Sequence, residues 1–266
     1  MPKVNSGQWE LNYIDEGEGA PVVLLHGLAG DHKAWLPQIA ALKAKYRVIA
    51  IDNPGSGQSS LVSEPTDLKQ IAQSIIVLLH HLGLGQVDIV GRSMGGAIAQ
   101  EIALAAPDRV KGLALAGSFA KLDALGIRLI ENMRDTIERD PDWARWTRLF
   151  SPSFVSPDFF VADPERMARL EAVIADERRD RQSYVNLANA CLASNTVGRL
   201  QNVTCKMMIM SGKLDPICSR TTTQWLEEEV PTASSVVFEK SSHFFLMEEA
   251  EKANQVILDW LNSATN

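Results

Sequence analysis

The sequence predicts an α/β protein: a mostly parallel twisted sheet with helices on both faces and a helical cap insertion. Three observations carry this. Apolar runs of strand length alternate with segments of helical periodicity, and the runs are continuously apolar, as in strands covered on both faces. The alternation breaks after Gly117 and resumes at Lys206, with helical periodicity but no convincing strand between. Finally, 266 residues with 45% hydrophobic content suffice for one sizeable core bearing an insertion.

The elements follow in order. Trp9 to Ile14 reads as a strand turning at Asp15-Glu16-Gly17-Glu18-Gly19, followed by a buried strand from Val22 and another from Tyr46 to Asp52. Helical spacing covers roughly 33 to 44 and 67 to 82. A strand from Val87 precedes a helix over about 95 to 106 that stops before Pro107, and Lys111 to Ala116 is the next strand. Beyond the insertion, Met207 to Gly212 and Ser235 to Glu239 are strand-like, and a helical segment starts near Met247. Residues 1–117 and 205–266 are therefore expected to form the core and 118–204 the cap. Ligands of such a sheet belong at the carboxyl edges of its strands.

One turn at that edge stands out. Gly91-Arg92-Ser93-Met94-Gly95-Gly96 sits directly between strand and helix. A serine in a G-x-S-x-G turn is forced into a tight backbone conformation that pushes its hydroxyl out of the sheet. A hydroxyl is a poor nucleophile until a base takes its proton, so the chain must also supply a histidine and a carboxylate to hold it. His243, in Ser241-Ser242-His243-Phe244-Phe245, lies on a loop after a late strand. His80 and His81 fall within an amphipathic helix, His32 on an early loop and His26 at a strand end, and these four fit less well. Asp215, on the loop after Met207 to Gly212, is the matching carboxylate. Ser93, Asp215 and His243 are thus the expected catalytic residues. Attack on a carbonyl builds negative charge on oxygen, and losing one donor to it costs roughly 3 to 4 kcal/mol of barrier. The backbone N–H groups of Met94, after the nucleophile, and Leu28, in the loop after Val22-Val23-Leu24-Leu25, are the expected donors.

These features together, His26-Gly27-Leu28-Ala29-Gly30, Asp52-Asn53-Pro54-Gly55-Ser56-Gly57-Gln58-Ser59, the turn at Ser93, Asp215 and His243, resemble the α/β-hydrolase superfamily almost end to end. The stretch from His26 to Ser60 and the overall length resemble 3-oxoadipate enol-lactonases and related small carboxylesterases. The resemblance implies an α/β-hydrolase fold, a serine esterase or lactonase working through an acyl-enzyme on a small-molecule ester or lactone, and no cofactor or metal. A carbon-carbon bond hydrolase of a dienoic diketone, and a ligand-binding receptor that kept the fold, are the alternatives it leaves. In such folds the side chain before the elbow serine points away from the hydroxyl, so Arg92 is expected in a buried or half-buried salt bridge beneath the turn.

Six of the seventeen aromatic residues fall within 143 to 160: Trp143, Trp146, Phe150, Phe154, Phe159 and Phe160. Most should pack the cap's own core, with Trp143, Trp146 and Phe150 offered as pocket candidates. The mixed-sign run Asp176 to Arg181 reads as the solvated face of a cap helix. Gly55-Ser56-Gly57 lacks the third glycine of a dinucleotide loop.

Composition removes other classes. Lys+Arg 26 against Asp+Glu 33 gives a net charge of −7, and no long basic run exists, so neither a nucleic-acid groove nor an anionic membrane surface is a partner. The amino terminus has no apolar h-region and no apolar stretch approaches the ~20 residues that cross a bilayer, which predicts a cytoplasmic location. Cys191, Cys205 and Cys218 are too few and too far apart for a metal knuckle or a disulfide framework and are expected as free thiols.

Overall fold

The chain opens with an antiparallel pair, β1 (Lys3–Ser6) and β2 (Trp9–Glu16), and continues with β3 (Ala20–Leu25), β4 (Tyr46–Ile51), β5 (Val87–Arg92), β6 (Val110–Ala116), β7 (Lys206–Gly212) and β8 (Ser234–Phe238). The structure is a computed structural model and describes residues 1–175 and 179–263. These strands form one eight-stranded sheet in the order β1-β2-β4-β3-β5-β6-β7-β8. From β4 to β8 every neighbouring pair is parallel, and β2 joins β4 antiparallel.

Side-chain alternation along β3 builds two layers. Val23 and Leu25 face the cluster that contains α2 (Leu68–His81) and α3 (Met94–Ala105). Val22 and Leu24 face the opposite cluster with α1 (Leu36–Leu42) and the C-terminal helix Ala250–Asn262. All four are fully buried, at about 1.5–3 kcal/mol each. Helix α2 begins where the sequence permits: Asp67 accepts from Gln70 N–H at 2.8 Å and the Gln70 side chain returns to Asp67 N–H at 3.3 Å. The helix expected over 33–44 is shorter. A 3-10 turn, His32–Trp35, precedes α1 because Pro37 suits a first helical turn and not an interior.

The order of the strands locates the site. The chain runs from β3 to β4 on one side, then returns to place β5 on the other side of β3. Connections leaving the carboxyl ends of β3 and β5 diverge and open a crevice there. The loop containing Leu28 follows β3, and Ser93 follows β5.

Between β6 and β7 the chain forms α4 (Ala124–Arg139), α5 (Trp143–Phe150), α6 (Pro157–Ala162), α7 (Pro164–Ile174) and α8 (Arg181–Ala193), with no strand among the described residues. Asp residues cap four of these helices: Asp123, Asp142, Asp163 and Asp180 each accept a backbone N–H of the first turn. Of the charged run, residues 176–178 lie outside the described residues. Arg179 is half-buried and lies outside any helix, and it donates to the carbonyls of Ile174 (2.8 Å) and Ala29. After β7 come α9 (Arg220–Glu229), which periodicity did not reveal, α10 (Phe245–Glu248) and α11 (Ala250–Asn262). No helix among the described residues is long and apolar enough to cross a membrane.

Candidate active site

Ser93 occupies a conformation that L-residues rarely adopt, φ 52° and ψ −120°. Its surroundings fix it there: Ser93 N–H donates to Ala116 carbonyl (2.9 Å), and its own carbonyl accepts from Ser118 Oγ (2.8 Å) and Gly96 N–H (2.9 Å). The turn is possible because Gly95 lets the start of α3 press against β3; a Cβ there would overlap the Leu25 carbonyl oxygen.

The loops after β7 and β8 are tied together, Lys213 N–H to Phe238 carbonyl (2.9 Å) and Leu214 N–H to Ser241 carbonyl (3.0 Å). This brings Asp215 beside His243. The His243 Nδ1–H donates to Asp215 Oδ2 at 2.7 Å, while Oδ1 accepts from the N–H groups of Ile217 (2.8 Å) and Cys218 (2.9 Å). A carboxylate only accepts, so the proton of a neutral His243 ring lies on Nδ1 and leaves Nε2 as an acceptor. Gly117 closes this corner: its φ is +51°, and a Cβ would stand 3.5 Å from Asp215 Oδ2 and 3.6 Å from His243 Nδ1. Glu248 anchors the histidine loop from the other side, accepting from Ser242 N–H and Ser156 N–H at 2.9 Å each.

The loop after β3 lies against the serine. A Cβ on Gly27 would stand 3.0 Å from Ser93 Cβ. Ala29 has a positive φ of 60°, and Gly30 N–H donates to Gly27 carbonyl at 3.0 Å. His26, fully buried, holds the loop: Nδ1–H donates to Gly27 carbonyl (2.8 Å) and Nε2 accepts from Asn53 N–H (3.0 Å). Burial lowers its pKa, consistent with one neutral tautomer. Behind it, Asp52 accepts from His32 N–H and Nδ1–H (2.8 Å each), Asn12 Nδ2 (2.7 Å) and Gln58 N–H (2.9 Å). Burial works against the Asp52 charge, but these hydrogen bonds, the one from the His32 ring foremost, outweigh it and hold its carboxyl at about 2. Leu28 follows Gly27 in this loop and lines the same cavity as Ser93, and Met94 directly follows Ser93 at the first turn of α3.

A cavity of about 470 Å³ opens over Ser93 and His243, walled mainly by apolar side chains such as Leu28, Ile130, Met133 and Phe154. Trp146 lines it; Trp143 lines a smaller neighbouring cavity of about 180 Å³, and Phe150 packs on Trp146 at 5.3 Å instead of reaching either. Phe154 and Phe159 also line the larger cavity, and the Phe154 carbonyl accepts from Phe244 N–H at 2.8 Å beside His243. Tyr184, Phe244 and Arg92 also line the cavity, and none carried a sequence signal for that role. Arg92 departs from expectation: it forms no ion pair among the described residues, and its guanidinium lies over the Phe244 ring at 4.1 Å. His80 and His81, in the last turn of α2, are exposed and remote.

All three cysteines are free. Burial pushes the Cys218 thiol well above its ordinary range, with Asp215 adding to it and a hydrogen bond with Ser93 opposing it. Among the described residues no hydrogen bond joins Ser93 to His243. Asp215, Cys218 and His243 place ligand-type atoms within 4.8 Å of one another. Both Asp215 oxygens are already engaged and the thiol is held protonated, so the cluster is a hydrogen-bonded network ill suited to grip a metal ion.

A hydroxyl in a strained elbow and a carboxylate-held imidazole at the carboxyl edge of a parallel sheet define a hydrolase class of site, and residues 20–160 match the alpha/beta hydrolase fold family. The chain belongs to that family and is a hydrolase. It is 27% identical to 3-oxoadipate enol-lactonase 1 of Acinetobacter baylyi, covering 94% of this chain and 92% of that one. It is 30% identical to the 2-hydroxy-6-oxononadienedioate/2-hydroxy-6-oxononatrienedioate hydrolase of Paraburkholderia xenovorans, covering 97% and 93%. The solved enol-lactonase from Burkholderia xenovorans superposes with a TM-score of 0.90 at 22% identity, covering 98% of this chain and all of that one. The resemblance expected from the sequence is borne out.

Proposed function

We propose that this protein is a serine hydrolase that cleaves a carboxylic ester or lactone through an acyl-enzyme. The observation that carries it is the Asp215–His243 pair and the strained Ser93 opening into one apolar cavity. Ser93 is the nucleophile, His243 the base and Asp215 the group that holds its tautomer. The Ser93 hydroxyl bonds to His243 Nε2 when substrate enters, as catalytic bonds often tighten only in the complex. Its oxygen attacks the carbonyl while Nε2 takes the proton, and the oxyanion is held by the N–H groups of Met94 and Leu28. The imidazolium returns the proton to the departing alkoxide. Water, deprotonated by the same nitrogen, then releases the acid and regenerates the hydroxyl. Residues 118–204 act as a cap that shapes the pocket over the core formed by 1–117 and 205–266.

A second reading, hydrolysis of a carbon-carbon bond in a dienoic diketone, is favoured by the 30% identical dienedioate hydrolase. The same groups would serve it. Ser93→Ala, assayed on aryl esters, lactones and a ring-cleavage product, tests both. Loss of ester turnover by roughly a millionfold supports the first reading. Retained hydrolysis in that variant overturns both, and turnover confined to the ring-cleavage product selects the second.

A further inference from the structure

We propose that Arg92 is a specificity residue that reads a carboxylate on the substrate, so that the preferred ester or lactone carries an acid group beside an apolar body. The proposal rests on the serine-hydrolase reading and adds the substrate's charge to it.

Arg92 immediately precedes Ser93 and lines the same cavity. Its guanidinium rests on the face of Phe244 at 4.1 Å, and Phe244 is itself stacked on Phe154 at 5.0 Å and 4°. This sandwich orients the plane of the fork and leaves its N–H edge as the unspent capacity. Among the described residues Arg92 has no hydrogen-bond acceptor, and its buried Nε is without a partner. A half-buried arginine whose Nε has left water without an acceptor is costly, and a planar carboxylate matches the paired donors of its fork. Asp215 favours the Arg92 charge electrostatically, but it makes no ion pair with Arg92 and its oxygens are occupied by His243, Ile217 and Cys218.

The charge of the wall agrees. The chain carries a net −7, yet among the described residues Lys33, Arg92, Arg166, Arg169 and Arg179 line the cavity with Asp31 as the one acid. Lys33 pairs with Asp31 and Arg169 with Asp163 and Glu165, whereas Arg166 lies over Phe159 at 4.0 Å. A cavity of this sign with apolar walls concentrates anions whose bodies are hydrophobic.

Monoethyl and diethyl glutarate differ by one carboxylate and test the point. Hydrolysis by wild type, Arg92→Gln and Arg92→Lys is followed by titration of released acid, with circular dichroism confirming the fold of each variant. The wild type should favour the monoester in kcat/KM, and Arg92→Gln should lower that preference at least tenfold, chiefly through KM, with partial recovery in Arg92→Lys. An equal loss on both esters, or no preference in the wild type, overturns the proposal. A separate arm keeps the two readings apart: calorimetry of glutarate with Ser93→Ala. Binding that disappears in Ser93→Ala/Arg92→Gln supports the carboxylate site even where neither ester is turned over and the hydrolase reading has failed. Binding indifferent to residue 92 refutes it.

Discussion

His243 and Asp215 are joined by a 2.7 Å bond from Nδ1 to Oδ2, and the second carboxylate oxygen is held by two backbone N–H groups. The carboxylate therefore cannot rotate without breaking three bonds, and the ring inherits its orientation. Replacing Asp215 by Asn offers an amide N–H to Nδ1 and favours the wrong tautomer. Ester turnover in Asp215→Asn should fall roughly ten-thousandfold, less than in Ser93→Ala. Steady-state kinetics on one aryl ester checks both, and an unaffected Asp215→Asn would point to another carboxylate.

Glu248 acts through the loop it holds. Removing it leaves Ser242 and Ser156 N–H groups without their acceptor, at about 1–3 kcal/mol. Glu248→Ala should lower kcat several-fold more than it raises KM, because His243 loses its register and not its chemistry. Glu248→Gln, which keeps an acceptor oxygen, should recover part of the loss.

Acid stability should report on Asp52. Its folded-state carboxyl titrates near 2, below the ordinary 3.8, so the folded protein binds fewer protons than the unfolded chain in between. The contribution is complete above the ordinary value and is lost as pH falls toward about 2. Urea midpoints should drop steeply between about pH 4 and pH 2. Asp52→Asn should be less stable at neutral pH by on the order of 2 kcal/mol, with a shallower slope in that window. Equal slopes would contradict the assignment.

Gly117→Ala separates strain from contact. The added Cβ meets Asp215 and His243 at ordinary van der Waals distance, whereas φ +51° penalises any L side chain. Stability should fall by about 1–2 kcal/mol while kcat/KM changes less than tenfold. Denaturant unfolding and kinetics on the same preparation decide it.

Much of this was readable from the chain alone. Continuous apolar runs placed β3 to β8 within a residue or two, and the elbow glycines marked Ser93, because both are dictated by local sterics and burial. What escaped depends on partners far along the chain. β1 is four residues of mixed polarity stabilised by pairing with β2, and α9 has only Trp225 and Leu226 as apolar side chains. Arg92 was expected in a salt bridge beneath the turn, but its direction is set by Phe244 and Phe154, residues that no spacing around the elbow could announce. Aromatic density over 143 to 160 does not separate Trp146, which walls the cavity over Ser93, from Trp143, which walls its neighbour, or Phe150, which packs behind Trp146.

The strands that flank the helical segment, β6 and β7, are hydrogen-bonded neighbours. The chain thus leaves and re-enters the scaffold through a single doorway. Length or composition can drift on the far side of that doorway without asking any strand to slip register. Ser93 lies on one flank of it, with Asp215 and His243 on the other, so the groups proposed to react stay put while the helices beyond the doorway are rebuilt. Such an architecture lets a lineage change its clientele faster than it can lose its chemistry.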